Sequence, residues 1–409
     1  MVSPNTFPEG LVNGRLDRLT DYPFARLAAL LSGITPRANV EPIVMSVGEP
    51  QHAPPTLIDQ AMRDNAHLWG KYPPLNGTPE FRRAAADWLT RRYGLEAEAV
   101  EPDRMVLPVA GTREALFLVA QLAVGEKKNG RTPAVLMPNP FYAAYEGAAV
   151  MAGADAVFLP ATRDTGFLPD LDALPEDLLA RTALFYLCTP ANPQGSVADL
   201  AYLKKAINLA RQHNFVLVVD ECYAEIWTES APPGALQAAS TLAADRPWAN
   251  LLVFHSLSKR SNAAGLRSGF VAGDPDLVTP FNRLRSYGQA GTPLPSLAAA
   301  TALWRDEAHV EENRRLYRDK FDAAEAALTG RFGFYRPQGG FFLWLNVGDG
   351  ETACRTLWRE GGIRTLPGTY LTRPDARGIN VGRSYLRVAI VHDAATIAIA
   401  CQRIAQILS

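Results

Sequence analysis

The chain is poor in cysteine and has no long apolar run. Its 409 residues include four cysteines and no Cys-x-x-Cys pair. Four thiols cannot frame a chain of this length with disulfides, and their spacing does not match a zinc site. No stretch approaches the roughly 20 apolar residues that are needed to cross a bilayer. We therefore expect a chain without structural disulfides, without a metal and without a membrane span.

An excess of one charge is also absent. The chain has 41 basic and 42 acidic residues, a formal net charge of −1, 47% apolar residues and 20% charged residues. A nucleic-acid-binding protein needs a basic bias that is missing here. Met1–Thr6 contains no charged stretch followed by an apolar run, which is the mark of a secretory signal. These observations predict an ordinary cytoplasmic enzyme that binds neither nucleic acid nor membranes.

The pattern of apolar residues divides the chain into two domains and an arm. From about Arg104 to about Gly273, short aliphatic runs alternate with amphipathic helical patterns, which is typical of a mostly parallel sheet with helices on both faces. After about Tyr287, long helical patterns and a short strand-rich unit predict a smaller α+β domain. We therefore predict an α/β protein with an N-terminal arm that joins the small domain at residues 1–46, a large domain at 47–287 and a small C-terminal domain at 288–409.

The predicted elements follow this division. Strands of the large domain are predicted at Met105–Val109, Ala134–Met137, Ala156–Leu159, Ala183–Cys188, Val216–Val219, Leu251–His255 and Ser268–Ala272. Helices between them are predicted at Arg113–Val124, Tyr142–Ala152 and Asp199–His213. Elsewhere we predict helices at Phe24–Leu31, Ser296–Trp304, Glu307–Leu328 and from Asp393, and strands at Phe341–Val347 and Tyr385–Ile390.

Ligands of open α/β sheets bind at the carboxyl ends of the strands, so the residues that follow each strand are candidates for chemistry. Gly111, Thr112 and Arg113 follow the first strand and open a helix. Their backbone amides and the positive end of the helix dipole suit a phosphate. The alternative is an ordinary turn with a helix cap.

A denser cluster follows the strand at Leu251–His255. Ser256, Ser258 and Lys259 come directly after this strand, and Arg267 lies a few residues further on. A lone lysine after a strand is usually a solvated surface residue. Two hydroxyls, a lysine and an arginine crowded at one strand end instead favour a site for an anion.

Two further strands end in polar residues. Asp220 follows the apolar run at Val216–Val219, and Tyr223 comes three residues later. The carboxylate is either a cap for the next turn or a buried partner for a protonated ring nitrogen, with Tyr223 as a phenol donor. Asn192 lies on the turn after another strand, where its amide would alone indicate only a loop.

Together these stretches resemble the class I and II aminotransferases of fold type I, and they occur in that family's order over nearly the whole chain. The matching stretches are Lys71–Gly77, Gly111–Arg113, Pro140–Tyr145, Asn192–Pro193, Asp220–Tyr223, Ser256–Lys259, Gly265–Arg267 and Tyr385–Arg387. The resemblance implies a fold type I enzyme with pyridoxal 5′-phosphate as its cofactor.

The resemblance assigns roles around the cofactor ring. Lys259 would carry the cofactor as a Schiff base and later move a proton at the substrate Cα. Asp220 would pair with the pyridine nitrogen and keep it protonated. Tyr223 and Asn192 would bond the 3-oxygen of the ring. Tyr142 would stack on the ring face, although plain helix packing remains an alternative.

The resemblance also assigns the phosphate, the substrate and a partner. The phosphate would take the amides of the Gly111–Arg113 stretch and the side chains of Ser256, Ser258 and Arg267. Substrate binding would fall to Arg387, as a fork for the α-carboxylate, and to Gly48 and Asn192. Tyr72 would reach the phosphate of a second copy of the chain, which implies a homodimer with shared active sites. A structural role for Tyr72 within its own chain is the alternative.

Two stretches narrow the substrate. Asp21–Leu27 and Ser258–Asp274 resemble the proteobacterial succinyldiaminopimelate aminotransferases of lysine biosynthesis, apart from Ala25, where an acidic residue is common. This implies amino transfer from N-succinyl-LL-diaminopimelate to 2-oxoglutarate. The extra carboxylates of that donor need extra cations, and the candidates are Arg26, Arg37, Arg260 and Arg383. For each arginine taken singly, a surface role is the favoured alternative.

Other functions remain open at this point. Another amino-acid aminotransferase or a C–S lyase of the same fold would use the same cofactor residues. An aminotransferase-like regulatory domain is a third alternative, but it needs an attached DNA-binding domain, and the chain has no N-terminal helix-turn-helix segment.

Overall fold

The computed structural model describes residues 10–243 and 245–409, so that part of the predicted arm, residues 1–9, lies outside the described residues. The strands are β1 (Ile43–Val44), β2 (Val106–Val109), β3 (Ala134–Asn139), β4 (Asp155–Pro160), β5 (Thr182–Cys188), β6 (Val216–Asp220), β7 (Leu251–Ser256), β8 (Gly269–Gly273), β9 (Phe342–Asn346), β10 (Ile363–Arg364), β11 (Leu366–Pro367) and β12 (Tyr385–Ala389).

The helices are α1 (Pro23–Leu31), α2 (Leu57–Asp64), α3 (Pro79–Tyr93), α4 (Pro102–Met105), α5 (Thr112–Ala123), α6 (Ala143–Ala152), α7 (Glu176–Leu179), α8 (Leu200–Gln212), α9 (Ala235–Ser240), α10 (Leu257–Arg260), α11 (Pro275–Gly288), α12 (Leu294–Arg305), α13 (Ala308–Leu328), α14 (Gly350–Gly361) and α15 (Ala394–Ile407).

Seven strands form the central sheet, in the order β2-β8-β7-β6-β5-β3-β4. The five strands from β3 to β7 run parallel, whereas β8 lies antiparallel between β2 and β7. The α/β fold class predicted from the sequence is confirmed. Each predicted strand of the large domain is present, with its ends within two residues of the predicted ones.

The sheet separates two apolar cores. Leu217 and Val219 of β6 contribute to the core that contains α3, α8, α9 and α12. Val216 and Val218 point to the opposite face, where α5, α6 and α11 cover the sheet. Side chains alternate between the faces of a strand, and a sheet covered on both faces is therefore apolar along its whole length. This packing fixes the ends of the strands where the polar residues follow.

A three-stranded antiparallel sheet, in the order β11-β12-β9, forms a second unit with α13, α14 and α15. The N-terminal segment joins this unit, because β1 pairs in parallel with β10 through Ile43 and Ile363. α12 packs instead against α2 and α3, and the rings of Trp304 and Trp88 lie 4.9 Å apart. The domain boundary after residue 287 stays a prediction, and this packing favours a boundary after α12.

Neither a membrane span nor a metal site is found in the part of the chain that the structure describes. In residues 10–243 and 245–409, no helix combines the length and the apolar character that crossing a bilayer requires. The same residues contain no group of three or more histidine, cysteine, aspartate or glutamate side chains placed to hold a metal ion.

Candidate active site

A cavity of about 540 Å³ opens at the carboxyl ends of the parallel strands. It is lined by Asp220 at the end of β6, Ser256 at the end of β7 and Lys259 just after it. The second unit contributes Arg387 of β12 and Phe342 of β9. Apart from Tyr72 and Gly111, the predicted site residues of both units therefore line one cavity, as expected for ligand binding at the edge of an open α/β sheet.

Lys259 lies in α10, the single helical turn that follows β7. The side chain of Ser256 caps this turn by accepting a hydrogen bond from the backbone amide of Ser258 at 3.1 Å. The Lys259 amine donates to the carbonyl of Gly48 at 2.5 Å. Burial, aided by the nearby charge of Arg387, lowers the pKa of Lys259 to about 8. An amine with this pKa is a ready nucleophile near neutral pH.

The backbone that carries Lys259 is held by α13. The side-chain amide of Asn313 donates to the carbonyl oxygens of Lys259 and Arg260, at 3.1 and 3.2 Å. His52 Nδ1 lies 2.8 Å from Asn313 Oδ1 and fixes the orientation of that amide. Glu307, which precedes α13, pairs with the Arg260 guanidinium at 2.7 Å. We name this set of bonds the α13 clamp; it ties the lysine-bearing turn to the second unit.

Asp220 is a buried carboxylate with a side-chain exposure of 6%. Its Oδ2 accepts a hydrogen bond from the hydroxyl of Tyr145 at 2.7 Å, and its Oδ1 accepts one from the amide of Cys222 at 3.2 Å. Burial raises the pKa of Asp220, and the hydrogen bonds from Cys222 and Tyr145 oppose that rise. An acid in this setting is best satisfied by a cation placed against it.

Arg387 is a buried cation without a paired carboxylate among the described residues. It donates to Asn192 Oδ1 at 3.3 Å and to the carbonyl of Ser46 at 2.7 Å, and it lies 4.4 Å over the ring of Phe342. Its Nε has no hydrogen-bond partner in the described chain. Burial lowers its pKa to about 10. These features suit a carboxylate ligand, which would supply both the charge and the missing acceptor.

A cradle for a phosphate lies at the start of α5. Gly111 has a φ of +81°, and a Cβ at this position would lie 2.1 Å from Arg267 Nη2. Glycine therefore lets the guanidinium approach the backbone, where it donates to the carbonyls of Ala110 and Ala264 at 3.2 and 3.0 Å. Thr112, Ser256 and Ser258 line the same cavity. The helix N-terminus, the hydroxyls and the arginine together suit a dianion.

Tyr142 and Arg113 form one wall of the cavity. The Tyr142 hydroxyl accepts a hydrogen bond from Arg113 Nε at 2.5 Å, and burial raises the pKa of Tyr142 to about 12. The sequence predicted a role only for the backbone amide of Arg113. The structure adds its side chain, a cation on the cavity wall that sequence reasoning missed. Tyr223 also lines the cavity, with its ring edge-on to Phe341.

The four arginines that were candidates for the extra carboxylates lie elsewhere. None of Arg26, Arg37, Arg260 and Arg383 lines the cavity in the described chain. Arg260 is buried between tryptophan rings and bonds the carbonyl of Leu303 at 2.8 Å, so the hypothesis that it reads substrate is wrong. Arg37 and Arg383 pair with surface carboxylates, and Arg26 stacks on a tyrosine ring.

Tyr72 lies outside the cavity of its own chain. Its side chain is fully exposed, at 101%, and it is absent from the cavity lining. This exposure gives no support to a structural role within the chain. Three further residues of the site had no role assigned from sequence: Tyr22 and Phe24 of the arm, within the matched stretch Asp21–Leu27, and Tyr145 beside Asp220. Tyr145 lay within the matched stretch Pro140–Tyr145, which was the available signal.

Comparison with known proteins agrees with this geometry. The family model for aminotransferase class I and II matches residues 40–404. The LL-diaminopimelate aminotransferase of Syntrophobacter fumaroxidans is 30% identical over 93% of this chain and 94% of its own length. An aminotransferase structure from Neisseria meningitidis is 40% identical with a TM-score of 0.92, covering 97% of this chain and 100% of its own. A probable N-succinyldiaminopimelate aminotransferase structure from Thermus thermophilus is 26% identical with a TM-score of 0.79, covering 94% and 99%.

The matched family depends on pyridoxal 5′-phosphate, and the cavity fits this cofactor. The cradle of Gly111 and Arg267 suits its phosphate, since a Cβ at Gly111 would collide with the guanidinium. The buried Asp220 suits a protonated ring nitrogen, and the Lys259 amine suits an aldehyde.

Borohydride reduction of the purified protein is expected to fix the cofactor on Lys259, because its amine has a lowered pKa inside the cavity. Peptide mass spectrometry locates the adduct. Lys320 is an internal control, because it is also buried, with a pKa lowered to about 7, but it lies outside the cavity and bonds the carbonyl of Val391. An adduct on Lys320 or on any other lysine would contradict the assignment.

Asp220→Asn is expected to lower the rate of the amino-transfer half-reaction by several orders of magnitude, because an amide of the same volume no longer stabilises a positive ring nitrogen. Stopped-flow absorbance of the cofactor measures this rate. Asp274→Asn is the matched control, since Asp274 is a buried aspartate that caps α11 outside the cavity. Near-native rates in the Asp220 variant would show that its charge is not used.

Proposed function

Because the chain belongs to the class I and II aminotransferases, we propose that it transfers the amino group of N-succinyl-LL-diaminopimelate to 2-oxoglutarate, as a cytoplasmic enzyme of lysine and diaminopimelate biosynthesis. The observation that carries this proposal is that Arg113 lines the cavity in addition to Arg387 and to Arg267 of the phosphate cradle. A donor with more than one carboxylate needs more than one cation, and an unpaired charged group in a closed site is costly.

The proposed roles follow from the residues of the cavity. When bound, pyridoxal phosphate supplies an aldehyde that takes up the amino group and a ring that accepts electrons from the substrate Cα. Arg387 binds the α-carboxylate as a fork, and Asn192, bonded to it, keeps the guanidinium in place. Lys259 takes the proton from Cα and returns it during transfer. Asp220 keeps the proton on the ring nitrogen.

The remaining cofactor contacts are also proposals. Tyr223 and Asn192 bond the 3-oxygen, and Tyr142 covers the ring face. The phosphate is held by the Gly111–Arg113 amides and by Ser256, Ser258 and Arg267. The position of Thr112, Arg113, Ser256, Ser258 and Arg267 on one cavity wall, with Gly111 against the Arg267 guanidinium, supports this role. Gly48 backs the substrate carboxylate; its carbonyl bonds Lys259, and a Cβ at Gly48 would lie 2.5 Å from the Phe342 ring.

The rest of the cavity supports a long donor with a distal charge. Phe167, Leu168, Leu366 and Leu371 give it an apolar lining that suits a methylene chain. Arg113 is an exposed residue that lines the cavity. Its Nε donates to the Tyr142 hydroxyl, so its two Nη groups are the part that would bind a second carboxylate. The Thermus thermophilus structure, a probable N-succinyldiaminopimelate aminotransferase, also supports this donor.

Free LL-diaminopimelate is the second candidate donor. The Syntrophobacter fumaroxidans relative is named for it. It carries an ammonium group where the succinylated donor carries a neutral amide. Glu49, an exposed carboxylate on the cavity wall, would pair with that ammonium. Another amino-acid aminotransferase or a C–S lyase of the same fold would use the same cofactor residues. A screen of amino donors and acceptors separates these activities from the two diaminopimelate donors.

The succinylated donor is expected to give a kcat/KM at least about tenfold above that of free diaminopimelate, because removing the succinyl group loses roughly 1.4 kcal/mol of binding in the transition state. Steady-state assays with 2-oxoglutarate measure both. Arg113→Gln is expected to lower the value for either diaminopimelate donor by about tenfold and to leave that for alanine, which lacks a distal carboxylate, within about twofold.

Arg383→Gln is the control for this prediction, since Arg383 is an exposed arginine outside the cavity. A higher kcat/KM with free diaminopimelate would favour the second donor. Equal or better efficiency with aspartate, alanine or an aromatic amino acid would overturn both donor assignments and leave the aminotransferase activity in place.

We further propose that the chain acts as a homodimer in which Tyr72 reaches the phosphate of the neighbouring copy. Tyr72, Trp69 and Tyr287 are exposed to 101, 56 and 84%, and large apolar side chains exposed on one chain support an interface. Tyr72 does not line the cavity of its own chain, which supports a contribution to the site of the neighbouring copy.

Mixed dimers of Tyr72→Ala and Lys259→Ala subunits are expected to recover activity that neither parent has, because one of the two composite sites is then intact. The measurement is the activity of heterodimers purified with two affinity tags. Mixed dimers of Asp220→Asn and Lys259→Ala subunits are the control and stay inactive, because both residues belong to the same chain's site. Failure of the first pair to recover would exclude the contribution in trans.

A further inference from the structure

Tyr145 contacts the carboxylate that the proposed function assigns to the ring nitrogen. Its hydroxyl donates to Asp220 Oδ2 at 2.7 Å, and the tyrosine side chain is 1% exposed. Tyr145 belongs to α6, whereas Asp220 ends β6, so the bond joins a helix that covers the sheet to the residue at its catalytic edge.

Packing alone fixes the ring of Tyr145. It is stacked on Tyr186, with ring centroids 4.4 Å apart and an interplanar angle of 7°, and it meets Tyr142 edge-on at 5.5 Å. The Tyr186 hydroxyl does not reach the site; it donates to the carbonyl of Leu116 at 2.6 Å. The ring therefore has no need of its hydroxyl to stay in place, and the hydroxyl is available to Asp220.

The hydrogen bond from Tyr145 affects the ionisation of Asp220. Burial raises the pKa of Asp220, which favours the protonated acid, whereas a hydrogen bond donated to the carboxylate favours the ionised form. Burial also raises the pKa of Tyr145 well above its usual value, so the phenol stays protonated and donates a hydrogen bond. The other titratable groups around Asp220 are Tyr142, Cys188, Cys222, Tyr223 and His255.

We propose that Tyr145 is a positioning residue whose hydrogen bond holds the Asp220 carboxylate in one orientation and in its ionised state. The inference rests on the proposed role of Asp220. Without the bond, a proton shared between Asp220 and the ring nitrogen moves toward the carboxylate. The ring then becomes a poorer acceptor of electrons, although the cavity and its other contacts are unchanged.

The test compares Tyr145→Phe with Tyr186→Phe. Each variant removes one hydroxyl from the same stacked pair and keeps the ring, so their packing losses are matched, and the thermal midpoint of each holoenzyme checks its folding. The readout is the ¹⁵N chemical shift of the cofactor's ring nitrogen in the holoenzyme, reconstituted with ¹⁵N-labelled pyridoxal phosphate. This shift reports directly whether the nitrogen carries a proton.

In Tyr145→Phe the ¹⁵N signal is expected to move toward that of neutral pyridine, and the fraction of protonated nitrogen is expected to fall at a pH about one unit lower than in the native enzyme. The kcat of the half-reaction is expected to fall about tenfold, with KM within about twofold, because substrate contacts are intact. Tyr186→Phe is expected to keep the native ¹⁵N signal. A native signal in Tyr145→Phe would overturn the inference.

Asp220→Asn separates this inference from the role on which it rests. If Asp220→Asn shifts the ¹⁵N signal and Tyr145→Phe does not, the assignment of Asp220 stands and that of Tyr145 fails. If Asp220→Asn leaves the signal unchanged, Asp220 does not hold the ring proton, and both assignments fail. An equal shift in Tyr145→Phe and Tyr186→Phe would reduce the effect to packing and would also overturn the inference.

Discussion

The site depends on burying charged side chains that have no full set of partners within the protein. Lys259, Asp220 and Arg387 are all buried around one cavity. Burial lowers the pKa of Lys259 and of Arg387 and raises that of Asp220, which in each case favours the neutral form. Such groups are costly to bury without partners, and the cost is met by the packing of the sheet between its two apolar cores. The same incompletely paired charges suit an aldehyde, a cationic ring and a carboxylate.

Much of this arrangement could be predicted from sequence, because its signals are local. The run Val216–Val219 followed by Asp220 predicts a buried strand with a carboxylate at its end, and the structure contains both. α3 was missed although its signals were present: Thr78 caps it, Pro79 begins it and Gly94 ends it. Charged residues such as Arg82 obscured the apolar pattern of that helix, although the arginine is buried and bonds Asp103.

What the sequence could not predict depends on contacts between distant segments. Arg260 follows Lys259 and was a candidate for the substrate, but successive residues of a helical turn point about 100° apart, and its side chain enters the core. Tyr145 approaches Asp220 only because α6 packs on the face of the sheet to which Val216 and Val218 of β6 also point. The side chain of Arg113 likewise becomes a cavity cation only once Tyr142 lies beside it.

The α13 clamp has a consequence for recombination between related enzymes. Asn313 reaches back 54 residues along the chain to the carbonyl of Lys259, and Glu307 reaches 47 residues to Arg260. A crossover placed between β8 and α13, after Arg267, separates the lysine-bearing turn from the side chains that hold it. A chimaera joined there inherits a complete cofactor cradle from one parent and an unmatched clamp from the other. The two segments are therefore inherited as one block, although α11 and α12 lie between them.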